Sequence, residues 1–148
     1  MKEFIAACVQ IAITPNDIKA NIEKSVSWLE KAVKENEAEL IVFPETVTTG
    51  FVTNLETNEL WDLLDDAPGH ITAEIQKAAK AHGVHVVWPT YRRGPQRGII
   101  YNSSILIGPD GGIIGTYDKT HPFPLERAAC GGWVTVGNTR RHLMALPA

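Results

Sequence analysis

The stretch LIVFPE at residues 40–45 decides the fold of this chain. Its four apolar residues predict a short strand covered on both faces, which ends at the proline and leaves Glu45 beside the strand end. Upstream, the apolar segment Phe4 to Ile13 predicts a buried first strand. The segment between them carries apolar residues at helical spacing, namely Ile18, Ile22, Val26, Leu29 and Val33. Strand, helix and strand form a βαβ unit, so we expect the first two strands to be parallel.

Beyond residue 45 the pattern continues to alternate between helices and strands. Gly83 stands where a helix C-cap glycine belongs, and Pro109-Asp110-Gly111-Gly112 is a tight-turn signal that predicts a hairpin between the last two strands. We predict a loop over residues 46–57, helices over 58–66 and 71–82, and strands over 84–88, 99–107 and 113–118. The fold class is therefore α/β.

Composition narrows the classes of function. The chain has 148 residues, enough for one domain with a core, with 44% hydrophobic and 21% charged residues. The net charge of −3 offers no basic surface for nucleic acid, and no segment is apolar enough to span a membrane. The two cysteines suggest no disulfide framework, so we expect a cytoplasmic protein. The five histidines show no metal-ligand spacing, and we expect no metal and no cofactor.

Glu45 is the first candidate for chemistry. Ligand groups in open α/β sheets gather outside the carboxyl ends of the strands, where a partly desolvated carboxylate can act as a general base. The alternative, an ordinary surface glutamate in a loop, is equally compatible with the local sequence.

Lys119 and Glu126 are the other candidates. Lys119 follows the last strand and could point its ammonium at a developing oxyanion, although most lysines are simply solvated. Glu126 could orient this lysine, or form a surface ion pair with Arg127. The sequence around Cys130 offers no neighbour that would activate a thiol, and we expect Cys8 to be buried and inert in the first strand.

Several segments together resemble the nitrilase superfamily of carbon–nitrogen hydrolases. Residues 40–45 are similar to its strand-Pro-Glu segment, and residues 49–51 to the loop after it. The later similar segments follow in the family's order, at residues 101–103, 109–111, 117–121, 123–127 and 133–135. The resemblance extends from Phe4 to about residue 138.

The resemblance implies an αββα sandwich that pairs with a second subunit, and hence a homo-oligomer. It also implies a Glu-Lys-Cys site, in which Glu45 is the general base, Lys119 stabilises the tetrahedral intermediate and Glu126 is an accessory carboxylate. Phe51 would face the substrate pocket. The substrate would be a small amide, nitrile or carbamoyl compound, cleaved through a thioester.

The chain departs from the family pattern in its last part. The family's nucleophilic cysteine would fall just beyond Ala148, and Cys130 is too near Lys119 to replace it. We therefore expect a single domain over residues 1–148 that is truncated at its C-terminus and covers about the N-terminal half of the sandwich, without the nucleophile. Residues 139–148 are predicted to be an atypical tail of the kind that out-of-frame translation produces. Asp118 stands where a basic residue is common.

Two other functions stay open at this point. A non-catalytic binding or dimerisation module would keep the fold and lack the nucleophile, although it would need neither Glu45 nor Lys119. A nucleotide-binding α/β domain is disfavoured because the first strand-to-helix turn, residues 13–17, has no glycine to cradle phosphate.

Overall fold

A computed structural model describes residues 3–51, 54–124 and 126 of the chain. Its five strands form one sheet in the order β1-β2-β3-β4-β5, with β1, β2 and β3 parallel and β4 and β5 antiparallel to their neighbours. The strands are β1 (Ala6–Cys8), β2 (Leu40–Val42), β3 (His85–Arg93), β4 (Ile100–Ile107) and β5 (Ile113–Asp118), and the helices are α1 (Ile18–Asn36), α2 (Thr57–Leu63) and α3 (His70–His82). The predicted α/β class, parallel first pair and final hairpin are confirmed.

Local signals set the ends of the two long helices. The Asp17 side chain accepts a hydrogen bond from the Ala20 N–H at 3.0 Å and caps the start of α1. Gly83 ends α3 in the left-handed conformation at a φ of 64°, as the sequence predicts. The two helices pack against each other beside the sheet.

The core lies on one face of the sheet. Phe43 meets Trp88 edge to face at 5.2 Å between ring centroids. Alternate residues of the central strands are fully buried in one cluster with the apolar residues of α1 and α3, and they are Ile41, Val86, Trp88, Ile105 and Ile107. This alternation follows from the two-residue period of a strand, which turns every second side chain toward the helices.

The intervening residues form an open sheet face that the described residues leave only partly covered. Val42, Val87 and Leu106 lie side by side across β2, β3 and β4, and each is partly exposed. Leu40, Val87 and Leu106 also line a shallow apolar groove with Phe4. We call Cys8, Leu40, Val42, Val87 and Leu106 the open sheet face.

The prediction of a buried first strand from Phe4 to Ile13 is wrong. The strand has only three residues, Ala6–Cys8, and Phe4 is 61% exposed. Cys8, predicted to be buried, is exposed. The reason is that β1 is an edge strand, and Cys8 is aligned with Val42 on the open sheet face rather than on the face under the helices.

Other boundaries shift for reasons of pairing. The third strand continues to Arg93, five residues beyond its predicted end, because its pairing with β4 runs on to the Arg93–Ile100 pair.

None of the described helices is long and apolar enough to cross a membrane. The predictions on Arg127, Cys130 and residues 139–148 fall outside the described residues.

Candidate active site

Glu45, Lys119 and Glu126 converge in the structure. The Lys119 ammonium donates to Glu45 Oε1 at 2.7 Å and to Glu126 Oε2 at 2.8 Å. These residues are 74 and 7 positions apart in sequence from the lysine. All three candidates therefore belong to one cluster at one end of the sheet.

The loop after β2 holds Glu45 in place by continuing alongside β3. Phe43 N–H donates to the Val87 carbonyl at 3.1 Å and Val47 N–H to the Pro89 carbonyl at 3.0 Å, so the chain stays fixed on either side of Glu45. Thr46, Val47, Thr48 and Thr49 are all fully buried. The Glu45 side chain itself is 48% exposed, so a carboxylate on a rigid support reaches into solvent.

Lys119 is positioned by the last strand. Its backbone N–H donates to the Asn102 carbonyl at 2.8 Å, which extends the pairing of β4 and β5 by one residue. The preceding residue, Asp118, accepts two hydrogen bonds from Arg92 Nη2 at 2.8 and 2.7 Å and a third from Ser103 Oγ at 2.6 Å. Asp118, the departure from the family pattern, thus fastens the end of β5 to β3 and β4.

Glu126 is a buried carboxylate, with a side chain that has no exposed surface. Its Oε2 accepts from Lys119 and from the Phe123 N–H at 2.7 Å. Burial acts to raise its pKa, but hydrogen bonds from Lys119, Asn102 and the Phe123 backbone outweigh burial and hold the pKa below the ordinary value. These contacts favour the ionised form of Glu126, and its side chain is buried rather than at the surface.

The pKa of Lys119 is shifted upward, opposite to that of Glu126. Burial opposes its charge, but the hydrogen bonds and charges of Glu126 and Glu45 raise the Lys119 pKa above the ordinary value. The ammonium has three hydrogens, and the two carboxylates take two of them. Among the described residues, no hydrogen-bond acceptor takes the third.

Asn102 and Tyr91 belong to the same cluster, and sequence reasoning did not single them out. Asn102 Nδ2 donates to Glu45 Oε1 and to Glu126 Oε1, both at 2.7 Å. The Tyr91 hydroxyl lies 3.5 Å from Glu126 Oε1 and donates to the Phe51 carbonyl at 3.1 Å. The available signal was an asparagine inside a predicted inner strand, because a buried amide needs polar partners.

Phe51, the predicted pocket residue, lies against the cluster. Its ring centroid is 5.6 Å from Lys119 Nζ and 6.4 Å from the ring of Phe123. Phe123 is 52% exposed. The two rings therefore form an apolar wall beside the ammonium.

The described residues hold neither a metal site nor a nearby thiol. No group of three His, Cys, Asp or Glu side chains within them could bind a metal ion. Their one free cysteine, Cys8, lies on β1, three strands away from the strand that carries Asn102, or about 14 Å at the usual strand spacing. Cys8 therefore lies too far away to act with Lys119.

Comparison with known proteins identifies the family. The sequence profile of the carbon–nitrogen hydrolases matches residues 5–144. The chain belongs to the carbon–nitrogen hydrolase family. The match runs through residues 139–144, part of the tail that the sequence predicts to be atypical.

Carbon–nitrogen hydrolases with known names and structures resemble the chain along most of its length. It is 33% identical over 123 residues to a probable nitrilase of Schizosaccharomyces pombe, covering 82% of this chain and 44% of that protein. It is 34% identical over 129 residues to a formamidase of Bacillus cereus (strain Q1), covering 83% and 38%. The crystal structure of a carbon–nitrogen hydrolase from Helicobacter pylori G27 shares the fold at a TM-score of 0.74 and 22% identity, covering 89% and 44%.

The fold expected from the resemblance is thus confirmed as nitrilase-like. The chain spans about two fifths of the length of the curated relatives it matches.

Proposed function

We propose that this chain is the acid–base portion of a hydrolase that cleaves non-peptide carbon–nitrogen bonds through a thioester. The observation that carries the proposal is the bridging of Glu45 and Glu126 by the Lys119 ammonium. Its substrate would be a small amide, nitrile or carbamoyl compound. The formamidase and nitrilase relatives support that substrate class.

In the proposed reaction with an amide, Glu45 transfers protons and Lys119 stabilises charge. Glu45 takes the proton of a thiol, and the thiolate sulfur bonds to the carbonyl carbon. The third hydrogen of Lys119 stabilises the oxyanion that forms. Glu45 returns the proton to the nitrogen as the carbon–nitrogen bond breaks and ammonia leaves. Glu45 then activates the water that cleaves the thioester and releases the acid and the thiol.

Glu126 would keep the lysine charged and in place without touching the substrate, since it is buried behind the ammonium. Phe51 and Phe123 would contact the carbon skeleton of the substrate, because their rings lie beside Lys119. The nucleophilic thiol would come from outside residues 1–148, as the family resemblance implies.

The test is ammonia release from a panel of short amides, nitriles and carbamoyl compounds, with and without a small thiol added in solution. We expect release only with the thiol, and a loss of about 100-fold or more in Glu45→Gln, the range usual for removal of a general base. Glu23→Gln, on an exposed glutamate of α1, is the matched control and should keep the wild-type rate.

Two results would contradict this proposal. Thiol-independent release that Cys130→Ala abolishes would place the nucleophile within the chain. No release under any condition would favour the second candidate, a non-catalytic module that binds or dimerises. The apolar open sheet face supports that candidate, because apolar patches of this kind commonly mark contact surfaces.

A further inference from the structure

Asn102 occupies the centre of the cluster. It lies in the middle of β4, opposite Tyr91 of β3, and is only 4% exposed. Its side-chain nitrogen carries two hydrogens, and two carboxylates lie at 2.7 Å from it. Both donors are therefore used, one for Glu45 and one for Glu126.

The two hydrogen bonds from Asn102 lie between two acidic side chains that share one lysine. Glu45 and Glu126 bring two negative charges within hydrogen-bond distance of one nitrogen, and Lys119 supplies a single positive charge. Two carboxylates that share a site usually compete, so that the pKa of one of them is raised. Hydrogen bonds donated to the ionised forms oppose that outcome, and Asn102 gives one to each carboxylate.

The same contacts distinguish the two oxygens of Glu45. Its Oε1 accepts from both Lys119 and Asn102, and both oxygens of Glu126 are engaged. Within residues 3–51, 54–124 and 126, no hydrogen bond engages Glu45 Oε2. Oε2 of Glu45 is therefore the carboxylate oxygen of the pair that no described residue engages, and it belongs to a side chain that is half exposed.

We propose that Asn102 is a positioning residue that holds Glu45 and Glu126 side by side and presents Glu45 Oε2 as the oxygen that takes the proton. The role of that proton rests on the proposed function. The pairing of the two carboxylates through one amide rests on the geometry alone. In the part of the chain that the structure describes, Tyr91 and Lys119 are the other titratable groups that face the pair.

The test is an NMR titration of the chain with ¹³C-labelled glutamate carboxyls. In the wild type we expect Glu126 to titrate below its ordinary value. In Asn102→Leu, which has nearly the same shape and no donor, we expect the Glu126 carboxyl to titrate at a higher pH than in the wild type, because one hydrogen bond to its charged form is lost. Asn102→Asp should shift it further, since it adds a third negative charge.

Ser104→Ala, two residues along β4 from Asn102, is the control and should leave both titrations unchanged. If the Asn102 variants do not fold, the wild type still decides the matter. Both side-chain amide protons of Asn102 should change chemical shift as the two carboxyls titrate. The proposal would be overturned by unchanged carboxyl titrations in folded Asn102→Leu. It would also be overturned if the chemical shifts of the Asn102 amide protons stayed constant while the carboxyls titrate.

The outcome can be separated from that of the hydrolase assay, because neither NMR measurement needs turnover. Carboxyls that titrate as expected in a chain that releases no ammonia would support the pairing and contradict the hydrolase. Thiol-supported hydrolysis, together with carboxyl titrations that are the same in the wild type and the Asn102 variants, would contradict the positioning role alone.

Discussion

Glu126 carries a negative charge with no exposed side-chain surface, and the fold tolerates it because three donors surround it. Lys119, Asn102 and the Phe123 N–H all donate to its two oxygens. A buried charge that keeps all its partners adds little net stability, but removing the charge leaves the partners unsatisfied. The site therefore couples the stability of the fold to the ionisation of one carboxylate.

This coupling predicts a pH-dependent effect of Glu126→Gln. The folded state lowers the pKa of Glu126 from 4.5, so its charge stabilises the fold above that pH, and the contribution is lost as the pH falls through the folded value. We expect the substitution to lower the free energy of unfolding by about 2 kcal/mol at neutral pH. This loss is smaller than the loss on breaking a fully buried ion pair, because Lys119 still has Glu45 as a partner.

Urea denaturation at about pH 7 and about pH 3.5 would measure this effect. The difference between wild type and variant should shrink at the lower pH. Glu23→Gln should cost little at either pH because the side chain of Glu23 is 67% exposed. An equal penalty at both values for Glu126→Gln would contradict an ionised Glu126 in the folded protein.

At the scale of elements, the sequence predicted the helices and the inner strands well, because their periodicity and end signals are local. Asp17 and Gly83 mark helix ends through their own hydrogen bonds and backbone conformation. The prediction of a buried first strand was wrong because burial depends on the position of a strand in the sheet. The run from Phe4 has the composition of an inner strand, and it lies at an edge.

The site, too, could be predicted only in part from local sequence. Residue-level reasoning left Glu45 undecided and favoured solvated or surface roles for Lys119 and Glu126, because nothing local shows that they meet across a sheet. Only the family resemblance predicted a common site for them. Asn102 was missed although its motif was noted, since its role depends on two carboxylates that approach from different elements.

At the scale of the whole molecule, the open sheet face predicts self-association. Phe4, Ile114 and Tyr117 are each more than 40% exposed, and the groove that includes Val87 and Leu106 is mostly apolar. Because exposed apolar sheet surface favours association, we expect light scattering to give a mass above the monomer value of 16.2 kDa.

A matched pair of variants tests the surface involved. Val87→Lys puts a charge on the open sheet face and should shift the protein toward monomer. Ala73→Lys puts the same charge on an exposed position of α3 and should leave the mass unchanged. A sharp monomeric peak for the wild type would contradict an exposed contact surface.

We propose that Glu45, Lys119 and Glu126 serve a cysteine, which the family resemblance predicts beyond residue 148. The nucleotide sequence of the gene from the codon of Asn138 onward, translated in all three frames, tests this claim most directly. We predict that one frame continues into a glycine-rich strand that ends in a cysteine. A stop codon after Ala148 with no such strand in any frame would contradict the claim, and a non-catalytic module would become the better account of the chain.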